Sequence, residues 1–132
     1  MPVTEIFERA LTRNVTWAST FSLMPWLVRD GRVVASLEIA DSPAARRAGL
    51  LRRDGIEGAL LLQPARSVHT MRMRFAIDVA HLDRELRVIR VAQMPPWRLG
   101  IWRLKARAVL ECEAGSLRSW GVNVGDLLEI RE

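Results

Sequence analysis

An imidazole and a carboxylate close together in a chain are the raw material of general acid–base catalysis, and His69 and Asp78 offer both, since a carboxylate can orient a ring nitrogen as a base. A hydrolase built on this pair also needs a nucleophile. Thr70 falls on the opposite face of the strand expected over 67–74, and Ser67, on the face of His69, lacks the glycine context that exposes a nucleophilic serine. No catalytic set is complete. The plainer expectation is that Asp78 accepts backbone amides or pairs with an arginine, because a buried carboxylate without partners is too costly. A metal site would recruit His69, His81, Asp78 and Asp83, but strand alternation puts His81 and Asp83 on one face and Asp78 on the other. No metal and no cofactor is therefore expected.

A second group of residues lies in Pro95-Pro96-Trp97-Arg98-Leu99-Gly100-Ile101-Trp102-Arg103-Leu104-Lys105. Aromatic rings interleaved with cations can stack bases or meet anionic surfaces, so Trp97, Arg98, Trp102, Arg103 and Lys105, with Arg52 and Arg53, define a nucleic-acid alternative. The competing expectation is that Trp97 and Trp102 form an apolar lid over the end of a small β-structure. The net charge of +5 attracts polyanions in general. However, of the 20 basic residues only Lys105 is lysine, and the arginines are scattered along the chain. Cys112 is the only cysteine, which excludes an internal disulfide. Alternation places it with Ala106, Ala108 and Leu110 on an apolar strand face, as a buried and inert thiol.

The elements that must position these groups are mostly strands. Asp30-Gly31 separates 26–28 from 32–40 and is a strong hairpin signal, with Val33, Ala35, Leu37 and Ile39 expected to share a face. Asp41-Ser42-Pro43 supplies an N-cap and a first-turn proline for a short helix over 44–51, with order ending at Gly55. Further strands are expected at 59–62, 67–74, 77–83, 86–92, 106–113 and 127–131. A surface loop fills 94–104, and one helical turn spans 116–120. This pattern predicts a mainly β (α+β) fold, a single small β-sandwich or partly open β-barrel with one or two short helices. At 132 residues there is room for one core, placed at 24–132. Residues 1–23 form a weakly packed extension with a possible short helix carrying Ile6, Phe7, Ala10 and Leu11. No apolar run is long enough to span a bilayer, and no signal peptide is evident at the start, so a cytoplasmic protein is expected.

Several stretches resemble the bacterial and archaeal family known as domain of unknown function 192. Ala45-Arg46-Arg47-Ala48-Gly49-Leu50-Leu51-Arg52-Arg53 is similar to its helical arginine, Gly-Leu-Met and second arginine. Gly58-Ala59-Leu60-Leu61 resembles its Gly-Met-Leu-Phe stretch, and Val68-His69-Thr70-Met71-Arg72-Met73-Arg74-Phe75-Ala76-Ile77-Asp78 resembles a branch reading Val-His-Thr-x-x-Met-Arg-Phe-x-Ile-Asp. Leu110-Glu111-Cys112-Glu113-Ala114-Gly115, then Gly121, Gly125 and Asp126, fit its endings. Leu51 and Ala59 replace the usual methionines, and His81 a common aromatic.

The resemblance covers about 26–130 and implies a compact β-rich domain with no agreed activity. It also draws Arg46, Arg53, His69, Thr70 and Asp78 into one polar cluster suited to a small anionic or polyhydroxyl ligand, or to a protein partner. A non-catalytic binding module is thus the leading expectation. A purely structural Arg46–Asp78 ion pair stands beside it, with nucleic-acid association and a hydrolase using His69 and Asp78 as alternatives.

Overall fold

The computed structural model describes residues 25–132; the extension expected over 1–23 lies outside them. Strand β1 (Trp26–Arg29) turns through Asp30-Gly31 into β2 (Arg32–Ala40), and both turn residues have positive φ, 52° and 75°, as a type I′ hairpin turn requires. The β1–β2 register slips by one residue, pairing Leu27 with Ala35 but Val28 with Val33. This bulge leaves Val34 as the extra residue and reverses the alternation expected across it. Val34, not Val33, therefore packs on the core, while Val33 and Ile39 are exposed.

After β2 come α1 (Pro43–Ala48), β3 (Ala59–Leu62), β4 (Ile77–Leu82), β5 (Val88–Met94), β6 (Ala108–Glu113), α2 (Ser116–Ser119) and β7 (Leu128–Arg131). The seven strands form one mixed sheet in the order β5-β4-β6-β3-β2-β1-β7. Among the described residues only β2 and β3 run parallel; α1 lies on the crossover between them, since parallel neighbours cannot be joined by a tight turn. The sheet does not close. Its outer strands meet at one corner, where Arg87 bridges Leu127, Val88 N–H donates to Asp126 O (2.8 Å) and Leu128 N–H donates to Leu86 O (3.0 Å). The expected partly open barrel is thus a curled sheet with a single touching corner.

Apolar residues cover both faces. One cluster includes Leu37, Leu61, Ala80, Leu82, Leu110, Cys112 and Leu117. The other includes Leu50, Leu60, Leu62, Met73, Ile77, Val79 and Val109. Strands buried on both faces read as continuous apolar runs, which is why 59–62 was legible and its facing was not.

The strand expected over 86–92 runs instead from Val88 to Met94, and two further elements differ more. The helix stops at Ala48, because Gly49 adopts φ 47° and its N–H closes onto Ala45 O; the local order does not run on to Gly55. The expected strand over 67–74 is an irregular segment touching 98–100 through one bridge, His69 to Leu99. Thr70 O accepts the Met73 N–H in a tight turn containing Arg72 at φ 63°, a conformation that ends strand pairing. Among the described residues, no helix is long and apolar enough to cross a membrane.

Candidate functional site

The main cleft, about 580 Å³, opens between α1 with its following turn and the segment 64–73. Helix α1 is fixed at its start by Ser42, whose Oγ accepts the Ala45 N–H (3.1 Å), and by Pro43 in the first turn. Arg46 on this helix donates from Nη1 to Asp41 O (2.9 Å) and reaches Gln63 O at 3.5 Å. These contacts tie the helix to the ends of β2 and β3 while leaving the guanidinium on the cleft wall. Arg47, Ser67 and His69 complete the polar rim, and Leu50, Leu62 and Met73 make an apolar floor.

Glu111 enters this floor from β6. It sits between Leu60 of β3 and Val79 of β4 in the sheet register, inside the second apolar face. The residue is 2% exposed, yet it lines the cleft, and its Oε1 lies 3.5 Å from where a side chain at Gly49 would begin. The turn after α1, entered through Gly49, thus covers the carboxyl closely. Burial pushes the Glu111 carboxyl up to about 7, against a smaller downward pull from the Arg53 guanidinium. Among the described residues no side-chain donor bonds it. Arg53 itself is engaged by Glu38 in a two-pronged pair (2.8 and 3.0 Å), which raises its own pKa.

The expected cluster of five is only partly assembled. Arg46 and His69 share the cleft. Arg53 lies outside its lining but close enough to act on Glu111 through charge. Thr70 is fully buried and holds the neighbouring loop: its Oγ1 donates to Pro95 O (2.7 Å) and accepts the Arg98 N–H (2.9 Å). Asp78 shares its sheet face with Ala80 and Leu82, one residue out of step with Ile77 and Val79, which face the cleft side. Its Oδ2 accepts the N–H groups of Gly115 (2.9 Å) and Leu117 (3.1 Å). It therefore caps the start of α2 from the strand next to β6, where Gly115 has no side chain to do so. This is the amide-accepting role expected as the plainer reading, and the Arg46–Asp78 pair is not formed.

The His69–Asp78 dyad is likewise absent. His69 is exposed, and its Nδ1 accepts the Met71 N–H at 3.2 Å. His81 is buried, with Nε2–H donated to Ile101 O (3.0 Å) and Nδ1 unpartnered; burial lowers its pKa and so favours the neutral ring. Cys112 is fully buried, and burial together with nearby Asp78 raises its thiol to about 12, so almost no thiolate exists at neutral pH. Trp97, Arg98, Trp102, Arg103 and Lys105 share one loop, as expected, with Arg66 stacked over the Trp102 ring at 5.7 Å. The tryptophans do not form a lid: Trp97 and Trp102 are 56% and 57% exposed.

Glu111 was the residue least visible in the sequence. The signal was present, because a lone acid flanked by Leu110 and Cys112 in a buried strand must face an apolar surface or a cavity.

Residues 26–130 match the family model described as "Uncharacterized ACR". The UPF0127 protein of Pyrococcus abyssi is 31% identical over 98 residues, covering 70% of this chain and 84% of that protein. The UPF0127 protein of Pyrococcus horikoshii is also 31% identical over 98 residues, covering 70% and 85%. Two crystal structures share the fold. One is a protein of unknown function from Novosphingobium aromaticivorans (TM-score 0.67, 19% identity, 80% of this chain and 83% of that one). The other is a candidate transcription regulator from Sinorhizobium meliloti (TM-score 0.70, 21% identity, 81% and 92%).

Proposed function

The chain belongs to the domain of unknown function 192 family, and from that premise we propose that it is a non-catalytic binding module holding a small anionic or polar ligand in the cleft between α1 and the segment 64–73. The observation that carries this reading is the buried Glu111 carboxyl aimed into a cavity of about 580 Å³, a size within the usual range for small-molecule sites. No side-chain donor among the described residues pairs with this carboxyl at the cleft wall, so it is free to exchange a hydrogen bond with a ligand oxygen or hydroxyl. Below its pKa of about 7, Glu111 can donate a hydrogen bond and does not repel an anion. Arg46, Arg47 and His69 supply the attraction at the rim, and Leu50, Leu62 and Met73 accommodate a short apolar body.

A single perturbed carboxyl also invites an acid–base reading. It ranks second, because His69 is committed to the Met71 N–H and Asp78 to backbone amides on the other face. Ser67 and His69 line the same cleft, but among the described residues no hydrogen bond links either of them to Glu111.

Thermal-shift titration with small carboxylates, phosphate esters and polyols tests the proposal. The expected result is a rise in Tm with an anionic ligand at pH 6. Arg47→Ala, an exposed change, should weaken the rise without altering the Tm of the free protein. No shift with any member of the panel, or an equal shift in the variant, would sink the idea.

A further inference from the structure

We propose that the loop 95–105 is a docking surface for an anionic lipid bilayer. Trp97, Leu99, Ile101, Trp102 and Leu104 are all exposed, Leu99 by 80%. Their concentration in one loop marks an interaction surface more strongly than isolated apolar residues would. The loop is also held in place. Trp97 N–H donates to Thr70 O (2.8 Å), Gly100 N–H to Val68 O (2.8 Å), Arg103 N–H to Arg66 O (3.2 Å) and His81 Nε2–H to Ile101 O (3.0 Å). Gly100 allows this approach, since a Cβ there would stand 2.3 Å from Val68 O. With the backbone fixed, the side chains are presented outward and little ordering remains to oppose docking.

Charge selects the occupant. No acidic residue occurs between Glu85 and Glu111, whereas Arg98, Arg103 and Lys105 lie within the loop and Arg66 stacks on Trp102. Lys105 shares a shallow cleft with Asp83 and Glu85, so the uncompensated charge rests mainly on the arginines. A second copy of the chain would set arginines against arginines. Nucleic acid would use the cations and the rings but would leave Leu99, Ile101 and Leu104 in water, because aliphatic groups do not stack on bases. An anionic bilayer takes all three classes: tryptophan at the headgroup level, aliphatic side chains just beneath, and arginine on the lipid phosphates.

Sedimentation of the full chain with vesicles tests this surface. The protein should pellet with vesicles of equal parts phosphatidylglycerol and phosphatidylcholine, and much less with phosphatidylcholine alone. The Leu99→Ser, Ile101→Ser double variant should lose binding at unchanged Tm. The Arg98→Ala, Arg103→Ala double variant should weaken it about tenfold or more. The proposal is overturned by equal pelleting with neutral vesicles, or by binding that survives the aliphatic double variant. Retention of single-stranded oligonucleotide with no vesicle binding would overturn it in favour of nucleic acid.

Discussion

Among the described residues, Glu111 is the carboxyl whose protonation near neutral pH is raised by folding. Its carboxyl rises from an ordinary value of 4.5 to about 7, so the folded state favours the neutral acid. The stability this confers is complete below pH 4.5 and is lost as pH rises through 7. Glu111→Gln should flatten that decline and leave the variant more stable than wild type above pH 7, by about 1–3 kcal/mol. Urea denaturation at pH 5 and pH 8 would check it; parallel pH dependence in both proteins would exclude Glu111 as the cause. Ligand affinity should follow the same titration, since an ionised Glu111 repels an anion that the neutral acid could hydrogen-bond.

At the scale of elements, Asp78 is the strongest test, because one side chain on β4 accepts the N–H of Gly115, just before α2, and that of Leu117 in its first turn. Asp78→Ala removes the one oxygen that accepts both N–H groups at a buried site and should cost about 1–3 kcal/mol. Asp78→Asn keeps one acceptor oxygen and should cost less. Chemical denaturation of the two variants separates capping from general loss of volume; equal losses would argue against the cap. Gly100→Ala drives a methyl into Val68 O and should destabilise the loop contact by about 1–3 kcal/mol, read as a lower Tm. What the sequence revealed at this scale was local. Asp30-Gly31 and Ser42-Pro43 carry their geometry in adjacent residues and were placed correctly. The segment 67–74 alternates like a strand but turns at Arg72, and nothing in its composition announces a positive φ. The five-residue polar cluster failed for a reason of parity: Asp78 is one position away from the face that meets the cleft, and only long-range pairing decides which face that is.

At the scale of the whole molecule, the corner where β5 and β7 approach depends on Asp126. Its Oδ2 accepts the Asn123 N–H (2.8 Å) and pairs with Arg29 of β1 (3.3 Å), while its carbonyl receives Val88 N–H. Asp126→Ala should open this corner. Faster hydrogen exchange at Val88 and Leu128 than at Leu110 would show the opening as local, and unchanged exchange at Val88 would refute it. A sheet whose two outermost strands have begun to pair with each other offers less free backbone to a stray strand from another chain. The touching corner therefore leaves less strand-edge backbone open, and loosening it with Asp126→Ala should raise the tendency to aggregate through the sheet edges, read as increased light scattering.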